Sequence, residues 1–181
     1  MYESVKASYG KLPVKVKLVD DGENGNPDFK ATMPTYGSER AAGMDLYSIQ
    51  TVILEPGIPM LVKTGLKMQI PEGTELQIRP RSGIALSDGI TVLNTPGTVD
   101  EDYRGEIGVI LYWTGAETSM NKFKILTSDT GKRGLYIPAG TRIAQAVLTP
   151  VYGADVVELI KVDELDSTER GEGGFGHTGI K

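Results

Sequence analysis

Pro59-Met60-Leu61-Val62-Lys63-Thr64-Gly65-Leu66-Lys67-Met68-Gln69-Ile70-Pro71-Glu72-Gly73-Thr74-Glu75-Leu76-Gln77-Ile78 decides the fold class. Residues 59–70 read as strand, 71–74 as a turn and 75–78 as a further short strand. The chain repeats this grammar in both directions. Upstream, Val14, Val16 and Leu18 alternate with Lys15 and Lys17 as a first half-buried strand. Residues 20–34, rich in Gly, Asn, Asp and Pro, read as a long loop, and 44–54 are strand-like up to the break at Pro56-Gly57. Downstream, 79–89 form a connector with room for one short helical turn. Residues 90–93 and 105–113 are strands around a tight loop, and 114–134 are polar and loop-like. Residues 135–140 lead into a strong strand at 142–151, and 156–162 are expected to close the sheet. No segment sustains a helical period with caps. Many short strands with Pro and Gly turns predict an all-β sandwich or jelly roll. One domain over 1–169 and a glycine-rich tail at 170–181 are expected, with no internal repeat.

The totals narrow the function. The chain has 181 residues, enough for one stable core. It has no cysteine, which excludes a disulfide framework and thiolate metal sites and fits a reducing compartment. A net charge of −5 argues against a general nucleic-acid partner but leaves room for a nucleotide held by a few arginines. No apolar run approaches membrane-spanning length, and residues 1–12 do not resemble a signal peptide. A cytoplasmic protein is the expectation.

Five stretches carry chemistry. Asp45, in Ala41-Ala42-Gly43-Met44-Asp45, is placed to hold a divalent cation, directly or through water; the plain alternative is a turn-capping Asp. Arg81, Ser82 and Gly83 offer a cation, a hydroxyl and an approachable backbone to phosphate oxygens, or equally form a charged surface turn. In the stretch from Asn94 to Gly105, backbone groups of a hairpin can read a base edge. Asp100 can take a proton from water, and Tyr103 can pack on a sugar. The alternative there is a solvated acidic turn. Gln145 is a polar amide in an apolar strand and needs partners, structural or ligand-borne. In Arg170-Gly171-Glu172-Gly173-Gly174-Phe175-Gly176-His177-Thr178-Gly179, five of ten residues are glycine. Glycine-rich backbone cradles phosphate, Arg170 forks onto its oxygens and Phe175 can stack on a base. The stretch reads as a lid for a nucleoside polyphosphate, or else as a disordered tail. His177 is the sole histidine and supports no hydrolase triad or metal cluster.

Taken in order, these stretches resemble the five motifs of the trimeric deoxyuridine triphosphate nucleotidohydrolase (dUTPase) family, over residues 33–179. The matching segments are 42–46, 80–83, 97–105, 140–145 and 170–179. The resemblance implies a β jelly roll assembled as a homotrimer, three sites at subunit junctions, and a tail from one subunit closing over a site built by its neighbours. It implies hydrolysis of dUTP to dUMP and pyrophosphate with Mg²⁺. By the same resemblance Asp100 is the base acting on the attacking water, Asn94 opens the uracil-reading hairpin, and Tyr103 packs under the deoxyribose. Arg81, Ser82 and Gly83 bind phosphate. Asp45 and Gln145 hold the metal's water shell, Gln145 also touching the phosphates. Arg170 meets the γ-phosphate, Phe175 stacks on uracil, and Gly176, His177 and Thr178 complete the tail's contacts.

Two departures stand out. Residues 114–136 are longer than the short turn common between the third and fourth motifs, and 20–33 look inserted. The first insert resembles phage-type relatives, in which case the compartment is the host cytoplasm, and 114–134 are a candidate surface for a protein partner. A dCTP deaminase shares the second to fourth motifs but carries a catalytic Glu where Arg104 stands here. A dUTP-binding switch without turnover is the reading from another class. The intact Asp100 and tail favour the hydrolase over both.

Overall fold

The computed structural model describes residues 10–19 and 30–174. Among these residues thirteen strands and one helix form, so the all-β expectation holds. The largest sheet has five antiparallel strands in the order β2 (Thr35–Tyr36), β3 (Met44–Tyr47), β13 (Arg142–Pro150), β7 (Thr74–Arg79) and β9 (Gly97–Val99). A second sheet pairs β10 (Gly108–Trp113) with β5 (Met60–Lys63) on one side and β8 (Ile90–Val92) on the other. A third places β12 (Arg133–Ile137) between β11 (Lys124–Thr127) and β4 (Val52–Leu54). β1 (Lys15–Leu18) pairs with β6 (Leu66–Gln69).

Period-two patterning explains why these segments are strands. Along β7, Thr74, Leu76 and Ile78 are buried while Glu75 and Gln77 are only partly so. Along β10, Val109, Leu111 and Trp113 are buried. Alternate side chains of a strand point to opposite faces, so each strand delivers one apolar row to the core. The rows from β3, β4, β7, β8, β10 and β12 merge into one cluster that includes Leu46, Leu54, Leu76, Ile90, Leu111, Trp113 and Leu135, all fully buried.

The structure corrects several local expectations. The 59–70 run is two strands, broken at Thr64-Gly65. Gly65 has φ +67°, and a Cβ there would stand 2.6 Å from the Ala31 Cβ and 2.9 Å from an Ile49 methyl. Only glycine meets both demands. The 44–54 run is likewise divided into β3 and β4. Residues 79–89 hold a seven-residue helix, α1 (Ser82–Asp88), closed by Gly89 at φ 67°, ψ 31°. The loop between β8 and β10 is not tight: it carries β9, which leaves for the five-stranded sheet. The polar 114–134 segment is not all loop, because β11 and the start of β12 lie in it. Leu135 pairs with both Ile125 and Leu54, so a strand of the core sheet recruits the polar segment as its edge.

Residues 156–162 form no strand. Val156 and Val157 N–H groups donate to the Gly153 carbonyl in a local turn, and Leu159 is 92% exposed. A strand needs a partner edge as well as apolar residues, and this segment has none among the described residues. The chain divides into two units, Met1–Val151 and Tyr152–Lys181. No helix among the described residues is long and apolar enough to cross a membrane.

One buried acid ties the insert down. Asp88, at the end of α1, is fully buried. Its Oδ1 accepts the backbone N–H of Lys122 at 2.8 Å and of Phe123 at 3.0 Å, and Ser87 Oγ donates to Oδ2. Thr118 Oγ1 donates to the Ser87 carbonyl at 2.7 Å. Asp88→Ala strips two backbone donors of their acceptor and is expected to cost about 3 kcal/mol. The urea midpoint should fall with an unchanged m-value; an unchanged midpoint means that solvent satisfies these donors.

Candidate active site

Four of the five motif-bearing segments meet on the five-stranded sheet. Antiparallel register sets Asp45 of β3 opposite Gln145 of β13, and Gln145 opposite Arg79 of β7. On the far side of β7, Ile78 faces Gly97 and Leu76 faces Val99. The first and fourth motif segments therefore run into β3 and β13, the third starts on β9, and the second leaves the end of β7 for α1. Cross-strand neighbours in such a ladder have Cβ atoms about 5 Å apart, close enough for side chains to bond directly.

Asp45 is the hub of this row. Its side chain is 5% exposed. Oδ1 accepts Arg81 Nε at 3.2 Å and Gln145 Nε2 at 3.1 Å, and Oδ2 accepts Arg142 Nη1 at 3.0 Å. Arg81 also donates to the Arg142 carbonyl at 3.0 Å. One carboxylate thus holds two guanidiniums, leaving an excess of positive charge that a polyphosphate can neutralise. Ser82 and Gly83 are exposed at the start of α1. Arg142 was not singled out from the sequence, although it stands three positions before Gln145 in the same segment. The signal was its place at the mouth of the strongest strand.

The third segment folds into an anchored loop after β9. Asp100 follows β9 directly and is exposed. Glu101 Oε2 accepts the Gly73 N–H at 2.6 Å, which fixes the loop to the turn before β7. The Tyr103 hydroxyl donates to the Glu106 carbonyl at 3.0 Å. The ring lies where a Cβ on Gly105 would be, 2.3 Å from the hydroxyl oxygen, so Gly105 makes room for it. Arg104 Nη1 donates to the Tyr103 carbonyl at 2.9 Å.

Asn94 and Tyr103 line one cleft of about 420 Å³ together with Leu61, Lys63, Glu106 and Ile110. Glu106 Oε1 accepts the Gly65 N–H at 2.9 Å, and Lys63 Nζ lies 3.9 Å from Glu106 Oε2. The cleft has apolar walls, an aromatic ring and a few polar groups, the usual composition of a small-molecule site. Leu61, Lys63 and Glu106 carried no sequence signal, because nothing local tells a cleft wall from a strand face.

Within the second unit, Arg170 Nε donates to the Gly173 carbonyl at 2.8 Å and Gly171 N–H to Thr168 Oγ1 at 3.1 Å. The glycine tail thus begins in a turn that Arg170 closes on itself. Phe175, Gly176, His177 and Thr178 lie outside the described residues.

Among the described residues no group of three or more His, Asp or Glu side chains could cage a metal ion. Mg²⁺ keeps much of its water and rides on substrate phosphates, so it needs no such cage. With its Nε2 on Asp45, Gln145 keeps its carbonyl oxygen as an acceptor for a metal-bound water. The donor set fits a phosphate-borne Mg²⁺.

A family model described as dUTPase matches residues 29–179. The deoxyuridine 5'-triphosphate nucleotidohydrolase of Alkaliphilus metalliredigens is 47% identical over 151 residues, covering 83% of this chain and 92% of that one. The dUTPase of Staphylococcus bacteriophage 80alpha, solved with dUPNHPP, superposes with a TM-score of 0.72 at 29% identity, covering 93% of this chain and 99% of that one. The dUTPase of S. aureus phage phi11, in a structure described as visualising its species-specific insert, gives a TM-score of 0.66 at 26% identity, covering 86% and 99%.

Proposed function

The chain belongs to the dUTPase family and is a dUTP diphosphatase, and from that premise we propose how its residues divide the reaction dUTP + H₂O → dUMP + pyrophosphate. The cleft that Asn94 and Tyr103 line together is the observation that carries this reading, and uracil and deoxyribose are assigned to it. Asn94 and the adjacent backbone read the uracil edge, and Tyr103 packs under the sugar. Fixed backbone donors reject cytosine, whose amino group would leave them unpaired, and a close wall rejects the thymine methyl.

Arg81, Ser82 and Gly83 take the phosphates. Asp45 holds Arg81 in place and, with Gln145, borders the water shell of the metal. When bound, Mg²⁺ neutralises phosphate charge and orients the chain of phosphates. Asp100 removes the proton of the water that attacks the α-phosphorus, and pyrophosphate leaves. Phosphoryl chemistry of this kind depends on positioning and electrostatics more than on covalent help from the protein. The physiological consequence is that uracil is kept out of DNA and dUMP is supplied for dTMP synthesis.

Assembly and the lid belong to the same proposal. Tyr152, Leu159 and Leu165 are about nine-tenths exposed at 90%, 92% and 88%, which suits a segment that finishes its packing on a neighbouring subunit of a homotrimer. Residues 170–181 then act as the lid, with Arg170 on the γ-phosphate, Phe175 on uracil, and Gly176, His177 and Thr178 on the remaining contacts. Closure excludes bulk water from the reacting phosphates. Deleting 170–181 is expected to keep the trimer, by light scattering, and to lose most turnover; normal turnover would remove the tail from the site.

The test of the function is a product assay with Mg²⁺ and, separately, dUTP, dCTP, dTTP and UTP. dUMP and pyrophosphate from dUTP alone are expected. Deoxyuridine nucleotides formed from dCTP would make the chain a deaminase, and an absence of turnover would leave a dUTP-binding switch.

A further inference from the structure

We propose that Lys122, in the insert between the third and fourth motifs, is a phosphate-binding residue of this site, delivered to it by the buried Asp88. The inference rests on the assignment of Arg81, Ser82 and Gly83 to the substrate's phosphates. It adds a residue from a segment that the short-turn members of the family lack.

The geometry starts at Gly83. A Cβ at that position would stand 3.7 Å from Lys122 Nζ and would meet nothing else within 4 Å. The ammonium therefore lies over Gly83, in the exposed first turn of α1. No carboxylate or carbonyl among the described residues pairs with it. An unpaired ammonium with three donors, next to a phosphate-binding segment, is a point charge suited to an anionic oxygen.

The root of the side chain is not free to wander. Lys122 N–H and the following Phe123 N–H both bond Asp88 Oδ1, and Phe123 packs against the core. The preceding Asn121 is held through Thr118, whose hydroxyl bonds the Ser87 carbonyl. Asp88, Ser87 and Gly83 all belong to α1. The insert and the phosphate segment are therefore fastened to the same short helix, and binding need only order the lysine stem. Asp88 acts through Lys122 and is a positioning residue.

The test is Lys122→Met, which keeps the stem and removes the charge. Affinities for a non-hydrolysable imido analogue of dUTP and for deoxyuridine are measured by calorimetry, beside KM and kcat for dUTP. Loss of one charge-assisted hydrogen bond predicts about tenfold weaker analogue binding and a similar rise in KM. The deficit should shrink at high salt. Deoxyuridine, which has no phosphate, should bind as before, and Lys122→Arg should restore most of the loss. With Asp88→Ala, analogue binding should weaken by a similar factor, and adding Lys122→Met should weaken it no further. Where Asp88→Ala fails to fold, the Met and Arg variants decide. Unchanged analogue affinity in Lys122→Met overturns the proposal, as does an equal loss for deoxyuridine, which would mark a structural role. If the wild-type protein binds the analogue but turns over no dUTP, the hydrolytic reading fails while the Lys122 comparison still stands.

Discussion

Asp100→Asn is expected to lower kcat for dUTP by about a thousandfold, the scale of a general base, while substrate still binds within a fewfold of wild type. Asn has the same size and shape but cannot take the proton of the attacking water. The loop that carries Asp100 is held by other groups: Glu101 on the Gly73 N–H, and the Tyr103 hydroxyl on the Glu106 carbonyl. The Asp100 backbone carbonyl accepts the Tyr103 N–H at 3.2 Å, a bond the substitution leaves alone. Loop and cleft should therefore survive, and the loss should fall on kcat. Pyrophosphate release and calorimetric binding of dUTP separate the two. Turnover at the wild-type rate would take Asp100 out of the mechanism.

Asp45→Asn is expected to cost stability and substrate affinity together. The carboxylate is nearly buried between two guanidiniums and an amide donor. The substitution preserves shape but sets an NH₂ group against these donors and leaves the guanidiniums uncompensated. Breaking this pair by removing one partner costs about 3 kcal/mol, at the low end for a buried pair because solvent screens half-exposed Arg142. Arg81, released from Oδ1, should then bind phosphate with more disorder, and KM for dUTP should rise. A urea titration and a KM measurement on one preparation check both. An unchanged midpoint would mean that the Arg81 and Arg142 contacts contribute nothing net to the folded state.

Much of the candidate site was legible because each motif is a compact local string. Arg81-Ser82-Gly83 and the Asp100–Tyr103 stretch announce their chemistry within a few residues, and their order along the chain made the family resemblance specific. Lys63, Glu106 and Arg142 were not legible as site residues. A charged residue on a strand looks the same in sequence whether it faces water or borders a cleft. Lys122 was hidden for the same reason, inside an insert whose length was plain and whose attachment was not.

By itself the sequence determined the fold class, since strand alternation and Pro or Gly turns are properties of neighbours along the chain. It also determined the chemical repertoire and the succession of the motifs. Only the tertiary structure decided which residues meet. Asp45 and Gln145 are 100 positions apart and bond because β3 and β13 pair in one register. Slipping that register by one residue would turn Gln145 to the other face and dissolve the row. Pairing likewise made β11 and the start of β12 out of a polar segment and left 156–162 without a strand. A strand exists only where another edge accepts its hydrogen bonds, and that edge is chosen by the packing of the whole chain.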